Sequence, residues 1–205
     1  MTPGYGTDVM DKRPVLIIDN NDELRSSLEQ ALHATGQPVI PRDGDEAFRR
    51  YRTDRTFLEF PSDLALLELI TGYATKRIEQ AWSAPEGYCR ALTIALSESL
   101  INAIKHGNKS DASKLVRFTI EILNDEARFI VEDEGPGFDV HAVANPRDSE
   151  NLFRPSGRGV LLIKSIMDSA KYNDRGNRLT MTMRRASLLN DEVVSARPSH
   201  DKGLS

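Results

Sequence analysis

The chain has 205 residues, of which 39% are hydrophobic and 28% charged, enough apolar content for a packed core and too much for wholesale disorder. A net charge of −4, from 27 Lys and Arg against 31 Asp and Glu, argues against a nucleic-acid grip, which needs a basic face. No apolar run approaches the roughly 18–20 residues of a membrane span. The opening MTPGYGTDVMDKR lacks a signal peptide's apolar stretch, and the single Cys89 excludes an internal disulfide, so a cytoplasmic protein is expected.

Residues 1–12 read as a flexible lead and residues 13–50 as a small separate unit. Val15-Leu16-Ile17-Ile18 is a buried-strand run. Asp22 to Ala34 carries Leu24, Leu28, Ala31 and Leu32 at helical spacing, and Gly36 ends it. Pro38 to Pro41 is a short second strand, followed by the Asp43-Gly44 turn signal. Strand, helix, strand is the opening of a parallel α/β unit.

After a polar, basic linker, a larger unit is expected over residues 54–187. Thr56 to Phe60 alternates like an edge strand. Ser62 is placed to cap a helix to about Trp82, with Leu64, Leu67, Ile70, Ala74 and Ile78 on one face. Ser83-Ala84-Pro85-Glu86 has capping-box spacing and opens a long helix to about His106. Two strands follow, with Val116, Phe118, Ile120 and Ile122 sharing one face of the first and Ala127, Phe129 and Val131 one face of the second. Residues 139–156 have little periodicity, the mark of a functional lid or an irregular loop. A helix from Gly157 to about Ser169 and two strands, Ala170–Tyr172 and Leu179–Arg184, complete the unit. Residues 188–205 read as a disordered tail.

Three segments carry chemistry. Glu98 and Asn102 are four apart, so they share a helix face, and Glu98's helical neighbours Ala91, Ile94, Ala95 and Ile101 are apolar. A carboxylate there needs a partner, a metal or water, and an Asn oxygen is a ligand type Mg²⁺ accepts when phosphates bring most of the charge. Asp133 has the strand parity of Phe129 and Val131, so it points to the core side where a carboxylate can accept from an exocyclic amine. Gly135 and Gly137 beside it allow close approach of a flat ligand. Ser156-Gly157-Arg158-Gly159 runs straight into a helix, an end that binds phosphate through free N–H groups and the helix dipole. Taken singly, each has an ordinary explanation as a helix stripe, a strand-end turn or a loop-to-helix joint.

Their order and spacing resemble the nucleotide site of the GHKL ATPases. Glu98-Ser-Leu-Ile-Asn102-Ala-Ile-Lys-His106-Gly107-Asn108 resembles that superfamily's first box, Asp133-Glu-Gly135-Pro-Gly137-Phe138 its second, and Gly157-Arg-Gly159-Val-Leu-Leu-Ile its third. The His106-Gly107 ending and the opening Phe60-Pro61-Ser62-Asp63-Leu64 are similar to the anti-sigma-factor serine kinases within it. The resemblance implies a two-layer α/β sandwich with a mixed, mainly antiparallel sheet and helices on one face. It implies ATP and Mg²⁺ as ligands, with Glu98 as catalytic base, Asn102 on Mg²⁺ and Asp133 reading adenine. Gly135 and Gly137 would line the base, and Gly157, Arg158 and Gly159 would hold phosphate. Segment 139–156 would be the lid. Arg158 or Arg154 would add a cation near the γ-phosphate, while His106 reads as a helix-terminal cap.

Val15 to Asp22 resembles the first strand of a response-regulator receiver, a family that places an acidic pair after it for Mg²⁺. Asp19 fits and Asn20 departs. The strand that should carry the phosphorylatable Asp has no counterpart: Asp63-Leu-Ala-Leu-Leu-Glu68 carries Glu there and fits the following helix better. Residues 13–50 are therefore expected to be a truncated, non-phosphorylatable relic.

The resemblance implies a serine/threonine kinase for an anti-sigma-factor antagonist, sequestration of a sigma factor and a homodimer, with no nucleic acid and no membrane. A non-catalytic ATP-dependent binding switch is the alternative, and Glu98 discriminates against it, since a pure binder needs no base. A histidine kinase ranks lowest, because none of His33, His106, His141 or His200 sits in a dimerising hairpin pattern.

Overall fold

The computed structural model describes residues 12–44, 54–138 and 155–188. The lead, the tail beyond 188, most of the expected lid and Arg154 lie outside the described residues. Among those described, seven strands form one sheet in the order β2-β1-β3-β4-β5-β7-β6. The strands are β1 (Val15–Asp19), β2 (Val39–Asp43), β3 (Asp54–Pro61), β4 (Leu115–Ile122), β5 (Glu126–Asp133), β6 (Ser169–Tyr172) and β7 (Arg178–Arg184). Only β1 and β2 pair in parallel; the other five pairings are antiparallel. Helices α1 (Asp22–Ala34), α2 (Leu67–Trp82), α3 (Glu86–Ile101) and α4 (Pro155–Ile166) pack as successive neighbours, α1 on α2, α2 on α3 and α3 on α4.

Strand alternation makes the core. Ile17, Leu58, Phe118, Val131 and Leu179 are register partners across five strands, and all are buried. Thr56, Ile120, Phe129 and Met181 form the next row, with Phe118 and Phe129 stacked at 6.5 Å. The helices answer with Ile70, Ala74 and Ile78 from α2 and Leu92, Ala95, Leu96 and Leu100 from α3. On the opposite face, Glu59, Arg117, Glu132 and Arg178 make a transverse row of alternating charge. One greasy and one charged face, generated by a period of two, specify a two-layer α/β sandwich with its helices on the apolar side.

The structure corrects three local expectations. Segment 56–60 is not an edge: β3 lies between β1 and β4, because the N-terminal unit adds its two strands to that side of the sheet. Ser62 is not the cap of α2. Its hydroxyl donates to Lys114 O (3.0 Å) and accepts from Asn108 Nδ2 (2.8 Å), while Asp63 caps a 3₁₀ turn, Leu64–Leu66, that leads into the helix. No capping box forms at Ser83, which instead takes a left-handed conformation (φ 52°) to close α2, leaving α3 to begin at Glu86 without a side-chain cap.

Candidate nucleotide site

The site is assembled at one end of α3. The helix carries Glu98 on its last full turn and then widens into a π-helical turn, Asn102–Gly107, whose end is marked by Asn108 N bonding Ala103 O at 2.8 Å. Such widenings sit preferentially at functional positions, because they swing the last residues off the regular helix face. Here the turn aims Gly107 at the end of β5. A Cβ on Gly107 would overlap the Asp133 carboxylate, and one on Gly135 would lie 2.7 Å from Asp133 Oδ1. Asp133 is 8% exposed and accepts from Gly135 N at 2.8 Å. Burial pushes its carboxyl above the usual carboxylate range, opposed by that N–H and by the Arg175 charge. Its effect is felt across the sheet, where Tyr172 is pushed up to about 12 by burial and then by the Asp133 charge.

Glu98 and Asn102 meet the third segment. A Cβ on Gly159 would stand 2.7 Å from Glu98 Oε2 and 3.5 Å from Asn102 Nδ2, so the first turns of α4 cross α3 at these two side chains. Asn102 Nδ2 is buried and has no hydrogen-bond partner among the described residues. A buried amide left unpaired costs about 1–3 kcal/mol, which a ligand supplying a partner recovers. Helix α4 starts at Pro155, two residues ahead of the expected Gly157, with proline where it lacks no useful N–H. Gly157 and Arg158 thus fall in the first turn, whose N–H groups have no partner within the helix. Gly137, at φ +77°, follows Gly135 on the far side of Asp133.

Thus Glu98, Asn102 and Gly159 form one group, and Asp133, Gly135 and Gly107 another, joined by the six-residue turn Asn102–Gly107. The N-terminal unit stands before this arrangement in the chain. A histidine kinase-like ATPase domain model matches residues 60–183, well over half of the chain. The chain belongs to the histidine kinase-like ATPase family. Among curated relatives of this ATPase domain, the serine-protein kinase RsbW of Staphylococcus epidermidis is 32% identical over 96 residues, 43% of this chain and 60% of its own length. The RsbW of Staphylococcus aureus strain Newman is 32% identical over 97 residues, 43% of this chain and 61% of its own. The chain therefore spans about three-fifths of the relatives it matches. Among the described residues, no helix of this ATPase domain is long and apolar enough to cross a membrane.

Two asparagines that the sequence pattern did not single out as site residues hold the acid in place. Asn108, fully buried, accepts from Glu134 N (2.8 Å) and donates to Leu115 O (2.9 Å) as well as to Ser62, tying the helix end to β4 and β5. Asn177 donates through Nδ2 to Asp133 O (2.9 Å) and accepts from Asp133 N at its own carbonyl (3.0 Å). Only their position next to the glycines at 107 and 176 would have flagged them.

Proposed function

We propose that this chain is an ATP-dependent serine/threonine protein kinase of the anti-sigma-factor type. It transfers the γ-phosphoryl group of ATP to a hydroxyl of an antagonist protein, and it sequesters a sigma factor as a homodimer. The observation that carries the reading is the approach of Gly159 to both Glu98 and Asn102, which sets a carboxylate and an unpartnered amide beside a helix start suited to phosphate.

In this reading Asp133 accepts the adenine amine, and Gly135 and Gly137 let the ring lie against backbone. The N–H groups around Gly157, Arg158 and Gly159 hold phosphate oxygens. Asn102 stands beside the phosphate-facing helix, where its Oδ1 would be the Mg²⁺ ligand and its Nδ2, buried without a partner among the described residues, would donate to a phosphate oxygen; the ion would neutralise charge on the phosphates. Glu98 takes the proton of the attacking Ser or Thr hydroxyl as its oxygen bonds to the γ-phosphorus. The bond to the β,γ-bridging oxygen breaks and ADP departs with that electron pair. General-base help of this kind is worth roughly 10²–10⁴ in rate. Residues 13–50 are a truncated receiver-like unit that takes no phosphate, a reading supported by Asp19, at the position matching that family's Mg²⁺ acid, being bonded to protein partners instead.

The test is transfer from radiolabelled ATP to candidate antagonist domains. Glu98→Gln should bind ATP with near-normal affinity and transfer at least about 10²-fold more slowly. Normal transfer by that variant refutes the base. Binding without transfer by the unaltered protein leaves the non-catalytic switch instead.

A further inference from the structure

We infer that Arg175, on the turn between β6 and β7, is a positioning residue of the nucleotide site that clamps the Gly135–Phe138 loop against the acid at 133. The inference rests on the proposed reading of that acid and loop as the adenine-binding end.

The two segments interlock. Arg175 Nη2 donates to Gly135 O at 3.1 Å, and Phe138 N donates to Arg175 O at 3.1 Å. Gly137 and Gly176 both have φ +77°, and neither has room for a side chain. A Cβ on Gly137 would overlap Arg175 O, and one on Gly176 would lie 2.7 Å from Phe138 N. The rings of Phe138 and Tyr172 meet edge to face at 4.9 Å. Each segment is thus shaped to the other's backbone.

The turn does not depend on the Arg175 side chain for its own shape. Asn173 Oδ1 accepts from Asn177 N and Arg178 N, both at 3.1 Å, Asn173 Nδ2 donates to Asn177 Oδ1 at 3.0 Å, and Gly176 N bonds Asn173 O at 2.9 Å. The guanidinium is free to act on the loop. By holding Gly135 O it restrains, from the carbonyl side, the residue whose N–H bonds the Asp133 carboxylate. Its charge also opposes the burial that favours the neutral acid. The other ionisable groups that face this carboxylate are Glu132 on β5, Lys114 ahead of β4 and Tyr172 on β6. Arg175 is the only one of these that also bonds the loop.

The experiment titrates the full-length protein, its Arg175→Gln and its Arg175→Lys forms with ATP, ADP and adenosine across pH, alongside thermal melting. Arg175→Gln should melt within about 2 °C of the parent, since the turn's own bonds remain. It should bind all three ligands about tenfold more weakly, the worth of a charge-assisted hydrogen bond. The midpoint of its acid-side loss of binding should move to higher pH. Lysine should restore the midpoint and only part of the affinity, because it keeps the charge and loses the planar fork. Unchanged affinity and midpoint in Arg175→Gln overturn the inference alone, provided the parent binds ATP. A loss confined to ATP and ADP overturns it as well, by moving Arg175 to the phosphates. A parent that binds none of the three overturns the reading of the site and this inference with it.

Discussion

Two buried carboxylates on the same face of one sheet, Asp19 at the end of β1 and Asp133 at the end of β5, have opposite surroundings. Asp19 is wholly enclosed and spoken for: it accepts from Asn21 N (2.8 Å) and the Thr56 hydroxyl (2.8 Å) and lies 3.5 Å from Arg77 Nε. Arg77, itself buried, also pairs with Asp54. A Cβ on Gly44 would meet Asn20 N at 2.6 Å, so Gly44 packs tightly on the backbone that follows β1. Asp133 is packed instead against glycines 107 and 135, and its carboxylate accepts from Gly135 N. A carboxylate saturated by protein donors has no acceptor capacity left for a ligand, whereas one held by a single N–H among the described residues keeps some. Acidity at a strand end is therefore common to both places, and the supply of partners separates a structural acid from one proposed to bind a ligand.

The sharpest way to break that comparison is at Arg77. Its removal strands the Asp19 charge inside the protein, and Arg77→Ala should cost about 3–5 kcal/mol of unfolding free energy by urea titration. Adenine-nucleotide selectivity should be unaffected in the fraction that remains folded. A loss below about 1 kcal/mol would place the pair among weak surface bridges.

At the other pole, Gly159→Ala puts a methyl 2.7 Å from Glu98 Oε2, the movable end of a flexible side chain. Stability should change by less than about 1 kcal/mol, while phosphoryl transfer falls on the order of 10²-fold from displacement of the proposed base. Equal losses in folding and transfer would mean that the site is merely packed. Asp133→Asn should weaken ATP binding roughly 10–100-fold in calorimetry, with little change in melting temperature.

Acid separates the two carboxylates more gently. Both have pKa values raised above 3.8 by burial. As pH falls through the window between the raised folded value and 3.8, folded Asp19 takes a proton that the unfolded chain does not, so its contribution to stability rises. In the same window Asp133 becomes neutral and can no longer accept as a carboxylate. Nucleotide affinity should therefore fall with acid while Asp19's contribution to stability rises, a divergence that titration and circular dichroism at matched pH would reveal.

Much of this was legible in the residues. The period-two pattern of Val116 to Ile122 and Ala127 to Val131 located the apolar face, and the Glu98–Asn102 spacing with the parity of Asp133 picked out three residues of the proposed site, because such patterns are local. What escaped notice depends on partners distant in the chain. Nothing near Thr56 says that β1 will pair beside it, so an interior strand reads as an edge. Ser62 satisfies the rule for a helix cap, yet a buried asparagine 46 residues away claims its oxygen. The π-helical turn at Asn102–Gly107 changes no residue type and leaves no periodicity to detect. Arg175, charged and in a turn, looks like any solvent-facing residue until Gly135 is seen beneath it.

The proposed site, built from Glu98 and Asn102 beside Gly159 and from Asp133 at the end of β5, stands or falls on whether it takes an adenine nucleotide. Calorimetric titration of the full-length protein with ATP and with GTP, each with magnesium, tests it most directly. ATP should bind saturably and one-to-one, GTP more weakly, and Asp133→Asn should lose that preference. No heat with ATP, or the same ATP preference after that substitution, would contradict the proposed site.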